Sequence, residues 1–207
     1  MELRGGTLGS YYGSTINSSS SLTTEQMKVN AAYISKFLTA AGWTINAICG
    51  MLGNMQAESS LNPGRWQSED VGNTSLGYGL VQWTPATKYL DWCNTNNITD
   101  PSEMDSNLRR IIYELQNNIQ WIPTDEYNLS FEEFSKSSED VEYLASAFLK
   151  CYERAGVEVE ETRKSNARAW YELYISGDLP TNPSVKPTTK KKKKFNFILF
   201  NKNRRLV

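Results

Sequence analysis

The stretch MLGNMQAESSLNPGRWQSEDVGNTSLGYGLVQWT, residues 51–84, joins the end of an apolar helix, a lone carboxylate and a glycine-rich segment studded with aromatics. The helix that leads in is predicted over 45–57, with Thr44 as its N-cap. Ile45, Ala47, Ile48, Cys49, Met51, Leu52 and Met55 leave Asn46, Asn54 and Gln56 as its polar side chains. A helix without a wet face is a buried helix. Gly50 and Gly53 each cost about 1 kcal/mol against alanine in a helix interior, so their presence implies that another element crosses closely. Glu58 falls in the last turn, before Asn62-Pro63-Gly64 ends the helix. Apolar surroundings and the negative end of the helix dipole both disfavour its ionised form, which is the direction a general acid needs. From position alone, a glutamate that frays into solvent is the equal alternative.

Residues 64–83 contain Gly64, Gly72, Gly77 and Gly79 with aromatics between them. They read as one or two short irregular strands joined by the turn 69–73. Trp66, Tyr78 and Trp83 offer flat apolar faces, while Asn73, Thr74 and Gln82 offer hydrogen bonds. Such a set suits a sugar chain; the alternative is the core of a small sheet.

Glu58-Ser59 with Asn62-Pro63, followed by Gly79-Leu80-Val81-Gln82, resembles the Glu-Ser and Gly-Leu-Met-Gln signatures of lytic transglycosylases and goose-type lysozymes. The fuller strings CGMLGNMQAESSLNPG and GNTSLGYGLVQWTP are similar to the tail-tip lysozymes of phages that infect Gram-positive hosts. The resemblance covers roughly residues 24–176 and is far more specific than a lone glutamate. It implies an α+β lysozyme-like fold, mostly helical, with a small hairpin or sheet as one wall of the cleft. It also implies that Glu58 is the catalytic acid, acting on the glycan strand of peptidoglycan between N-acetylmuramic acid and N-acetylglucosamine. No cofactor or metal is expected. The implied setting is a virion tail acting at the host wall, with other tail proteins as partners.

Composition sets bounds on this reading. The 207 residues suit one ordinary domain plus tails, expected as a flexible segment over 1–22, a lysozyme-like domain over 23–177, and a proline-containing linker with a basic tail over 178–207. Net charge is -1, yet residues 186–207 hold nine basic side chains and no acidic one, which leaves 13 basic against 23 acidic before them. The tail could contact an anionic wall polymer through non-specific electrostatics, or be a solvated terminus without a partner; nothing in it supplies specific nucleic-acid readout. Cys49, Cys93 and Cys151 are odd in number and read as small apolar residues. The absence of histidine excludes Ser-His and Cys-His nucleophile pairs and argues against a catalytic zinc site. Residues 1–21 have no apolar run resembling a signal peptide, and residues 195–200 are too short to span a bilayer.

Further helices are predicted around this centre. Thr23 and Gln26 form a capping-box pattern ahead of a helix reaching about Ala41. Thr84-Pro85 is expected as the N-cap and first position of a helix to Asn94, which would set Gln82 at the mouth of the cleft, either orienting substrate or bonding the hairpin backbone. An amphipathic surface helix is predicted over 102–120, with Arg109 and Arg110 on its solvated face. Ser130 and Glu133 repeat the capping box. The stripe Val141, Leu144, Ala145, Phe148, Leu149, Tyr152 ends in Tyr152-Glu153-Arg154, which resembles the tyrosine motif bordering the transglycosylase cleft. Tyr152 is therefore read either as a partner of Glu58 or of a sugar N-acetyl group, or as a core residue. A last helix is expected over 161–176, stopped by Gly177.

Two-carboxylate glycoside hydrolysis needs a second carboxyl roughly 5 to 9.5 Å from the acid, and Asp70 and Glu69 in the turn are the candidates. Without one, Glu58 would serve as acid and then base, with the muramic 6-hydroxyl as internal nucleophile, as in lytic transglycosylases. A wall-binding tail component that has lost catalysis is the alternative from another class.

Overall fold

The computed structural model describes residues 1–154 and 159–179. At its centre lies helix α2 (Ile45–Ser59), capped by Thr44 Oγ1 on the Ala47 amide, with Ala47 to Met55 buried without interruption. The expected close crossings occur at both glycines. A Cβ on Gly50 would stand 2.9 Å from the Leu144 carbonyl carbon of α6 (Val141–Phe148), and one on Gly53 would stand 2.4 Å from the Arg163 oxygen of α7 (Glu160–Ser176). Three helices thus meet backbone to backbone along α2.

Helix α1 (Thr24–Ala40) starts at a complete capping box made by Thr23 and Gln26. Helix α5 (Phe131–Lys136) starts at another, made by Ser130 and Glu133. Between them come α3 (Thr87–Thr95) and α4 (Met104–Gln116). The first of these begins later than the Thr84-Pro85 pattern suggests. Ala86, its N-cap, gives its amide to Thr74 and Leu76 oxygens at 3.0 and 2.8 Å, tying the helix start to the preceding loop. Helix α6 continues the predicted stripe but passes into a π turn, Leu149–Glu153, ended by Arg154 at φ 57°. Trp121, Phe131, Phe148 and Tyr152 stack inside this end of the core, with Trp121–Phe131 centroids 4.9 Å apart and Phe148–Tyr152 4.5 Å apart.

The fold class is α+β, with a small two-stranded antiparallel sheet among the helices. That sheet is not where the sequence placed it. Strands β1 (Glu2–Gly6) and β2 (Gly9–Gly13) pair within the segment expected to be flexible. The hairpin is fastened by distant partners: Arg4 pairs with Asp100 at 2.5 Å and donates to the Ser102 carbonyl at 2.9 Å, and Tyr33 fills the space beside Gly6. Residues 64–83 instead form a loop stitched by the isolated bridges Trp66–Tyr78 and Tyr78–Trp83, with a short 3-10 turn at Gln67–Glu69. Four glycines and positive φ at Ser68, Glu69 and Gln82 keep this wall from becoming a regular ladder. The predicted linker and basic tail lie outside the described residues from 180 onward.

Candidate active site

Helical geometry sets Asn54 and Glu58 one turn apart on the same face of α2. Opposite them α7 brings Arg163, whose side chain is only 6% exposed. Its Nη2 donates to Glu58 Oε1 at 2.6 Å, and its Nη1 donates to Asn54 Oδ1 at 3.1 Å. Gly53, immediately before Asn54 in sequence, is what lets the α7 backbone approach this closely. Glu58, with 20% of its side chain exposed, is therefore neither frayed into solvent nor alone in an apolar pocket. The sequence-based electrostatics omitted this cation.

Glu58 opens into a cleft of about 420 Å³. Its far wall is the loop carrying Gly79-Leu80-Val81-Gln82, locked at fixed height by side-chain bonds. Ser59 Oγ, from the last residue of α2, donates to the Leu80 oxygen at 2.8 Å, and Asn107 Oδ1 of α4 accepts the Leu80 amide at 3.0 Å. Asn62 secures the turn below, accepting the Ser14 and Gly64 amides at 3.0 Å each and donating to the Ser20 carbonyl at 2.7 Å. The Glu-Ser-x-x-Asn-Pro string thus couples the helix end to the cleft wall. Gln82 lines the cleft, but its amide nitrogen is spent on the Arg65 and Gly79 oxygens at 3.0 and 2.9 Å. Of its two expected roles, the backbone-holding one is present.

Several predicted contacts fall elsewhere. Trp66 and Tyr78 are 2% and 0% exposed, so neither presents a stacking face to a sugar. Their rings pack together at 4.4 Å, and the Trp66 indole nitrogen donates to the Ile16 oxygen at 2.8 Å. Trp83 edges the cleft while its ring stacks on Tyr89 at 4.5 Å. Asn73 and Thr74 sit on the outer loop away from the cleft, where Asn73 caps its own turn through the Ser75 amide at 3.1 Å. Glu69 and Asp70 are exposed and do not line the cleft. Glu69 pairs with Arg65 at 2.9 Å, and Asp70 accepts from Asn73 at 2.8 Å.

Tyr152 reaches the cleft floor but not Glu58. It is 0% exposed, and its hydroxyl donates to Glu114. Glu114 also receives the Trp83 indole at 2.9 Å and Arg110 Nε at 2.8 Å. Burial pushes the Glu114 carboxyl above the usual carboxylate range, against the pull of these three donors. Arg110 is consequently drawn in towards Glu114, with its side chain 11% exposed, and is not part of a solvated face.

The next residue, Glu153, lines the cleft with Glu58. Its Oε1 is sealed from solvent and has no hydrogen-bond partner. Burial first, and then the negative charge of Glu58, hold this carboxyl well above its ordinary value, while Arg163 pulls the other way. The side chain comes from the last residue of the π turn. Arg65, Lys88 and Arg154 give the cleft rim a cationic lining within an acidic body.

Arg163 and Glu114 were missed in the sequence, although both left a signal, and Glu153 was noted only as part of the Tyr152-Glu153-Arg154 string. Arg163, Ala167 and Trp170 form the buried stripe of α7, and Glu114 falls among Leu108, Ile111 and Leu115 of α4. A charged residue on the apolar face of a helix marks a buried polar partner.

The sequence profile described as phage tail lysozyme matches residues 29–174. The chain is also similar to Morphogenesis protein 1 of Bacillus phage B103, with 52% identity over 150 residues, which is 72% of this chain. It spans about 40% of that relative's length.

Proposed function

This chain belongs to the phage tail lysozyme family, and from that premise we propose that it cuts the glycan strand of peptidoglycan between N-acetylmuramic acid and N-acetylglucosamine, with Glu58 as the proton donor. Support comes from the setting of Glu58: a carboxyl at the end of a buried helix, positioned by Arg163 at 2.6 Å and opening into a cleft of about 420 Å³. Glu58 hands its proton to the glycosidic oxygen as the bond breaks and oxocarbenium character develops on the sugar. The carboxylate left behind, steadied by the guanidinium, then takes a proton from the water that adds to the anomeric carbon. The 52% identity to a phage morphogenesis protein supports a place in the virion, and a tail-borne lysin that opens the host wall locally for DNA delivery accounts for both properties. Other tail proteins would be its partners there.

A transglycosylase outcome stands as the second reading because neither Asp70 nor Glu69 lines the cleft. In it the muramic 6-hydroxyl replaces water. Mass spectrometry of purified peptidoglycan digested with the wild type and with Glu58→Gln tests both. Reducing muramic ends from the wild type alone are the expected result. Anhydro-muramic ends would select the second reading, and intact glycan from folded wild type would assign the cleft to binding without cleavage.

A further inference from the structure

The cleft holds more positive charge than the breaking of a bond between two sugars has use for. Arg65 lines it from the glycine-rich loop, Lys88 from the second residue of α3, and Arg154 from the residue that ends the π turn. Their commitments differ. Arg65 pairs with Glu69 at 2.9 Å, and Arg154 Nη1 donates to the Gln120 and Cys151 carbonyls at 2.5 and 3.3 Å. Lys88 is exposed and makes neither a hydrogen bond nor an ion pair among the described residues. The two carboxyls of the cleft do not occupy these cations either, since Glu58 is bound to Arg163 and Glu153 Oε1 has no partner.

The sugar rings themselves are uncharged and give a lysine nothing to neutralise. Negative charge enters the strand as substituents: muramic acid carries through its lactyl ether a peptide stem with free carboxylates, and wall polymers joined to the strand carry phosphates. When Glu58 stands at the glycosidic oxygen, the muramic sugar beside the cut lies in the cleft, and its substituents must leave over the rim. Cations lining a concave site concentrate their field on what passes there. We propose that Lys88, with Arg65 and Arg154 on the same lining, binds an anionic substituent of the glycan strand, so that the protein selects substituted wall over bare neutral glycan. This rests on the glycosidase reading and adds to it the class of strand selected. Lys88 sets specificity here and takes no part in bond breaking. The two arginines hold fixed positions, and the lysine supplies the mobile point charge.

The test uses purified wall in three forms: native, stripped of phosphate polymer with hydrofluoric acid, and stripped with its carboxylates then capped as methylamides. For wild type, kcat/KM should fall about 3- to 10-fold at the step that removes the recognised anion, at stripping for a phosphate and at capping for a carboxylate. High salt should shrink that fall. Lys88→Gln should reduce it about two- to fivefold, and Lys88→Arg should keep it. Equal wild-type rates on all three walls, or a fall of the same size in Lys88→Gln, would overturn the proposal. Binding of the three walls by Glu58→Gln, with and without Lys88→Gln, reads the same contact in the absence of turnover. A wild type that cuts none of the walls would sink the glycosidase reading, while a binding preference that disappears with Lys88 would still uphold the anion contact and one indifferent to Lys88 would end it.

Discussion

Asn54 and Glu58, one turn apart on α2, grip the same guanidinium: Arg163 stands 3.1 Å from the amide oxygen of the first and 2.6 Å from the carboxylate of the second. This three-residue clamp fixes where the acid sits and which helix supports it. Arg163→Lys keeps the charge but cannot span both acceptors in one plane. We expect it to lower kcat by roughly 10- to 100-fold with little change in glycan KM, measured by dye release from labelled cell walls. Arg163→Met, which leaves Glu58 and Asn54 without their donor, should also cost about 1 to 3 kcal/mol of stability, below the figure for a fully buried pair because Glu58 is partly exposed.

Glu58→Gln preserves the shape of the site and the Arg163 contact but has no acidic proton. Its kcat should fall roughly 100- to 10,000-fold while binding of glycan fragments persists. Isothermal titration with a soluble muropeptide oligomer checks the second half; loss of binding would show that the variant had damaged the cleft.

Gly53→Ala tests the close approach of α7. The added methyl would lie 2.4 Å from the Arg163 oxygen and 2.8 Å from the Ala167 nitrogen, both backbone atoms that cannot swing away. Urea denaturation should show a loss of about 1 to 3 kcal/mol, outweighing the better helix propensity of alanine. Gly5→Ala, where nothing lies within 4 Å, is the control and should stay within about 0.5 kcal/mol of wild type.

Tyr152→Phe removes one of the three donors to buried Glu114. A loss of about 1 to 3 kcal/mol in thermal or urea unfolding is expected. Because Tyr152 is 0% exposed, glycan KM should hold. A variant with wild-type stability but a weakened KM would restore Tyr152 to direct substrate contact.

Stability should also depend on pH through the buried acids. Glu153 and Glu114 hold their protons in the folded protein at pH values where the unfolded chain, titrating near 4.5, has released them. The folded state then binds more protons than the unfolded one, so unfolding free energy falls as pH rises from about 4.5 through the raised folded values. Glu153→Gln removes its share of that slope, and its melting temperature should decline less steeply than that of wild type in the same window. Parallel curves would mean that Glu153 is ionised in the folded protein.

Local patterns announced much of this architecture. The two capping boxes, the Thr44 cap, the dry face of α2 and the crossings at Gly50 and Gly53 all follow from residue types at fixed spacing, and each is found where expected. Partners far apart in the chain did not announce themselves. Glu58 could be nominated, but Arg163 lies 105 residues away and belongs to its site only through helix packing. Aromatics in a glycine-rich loop looked like a sugar platform because sequence shows ring type and not burial; Trp66 and Tyr78 face inward, where Ile16 and Tyr89 receive them. Likewise, the N-terminal residues looked too polar to fold, and in isolation they offer little to bury. Arg4 gains its order from Asp100 and Ser102, which no local window contains.

Those same separations give the cleft a birth order. During synthesis Glu58 leaves the ribosome well ahead of its guanidinium, and Arg4 precedes its anchors by 96 and 98 residues. Contacts of such long range close late. A nascent chain that stops short of α7 carries the acid without the clamp that sets it, so the cleft is among the last parts of the protein to be completed.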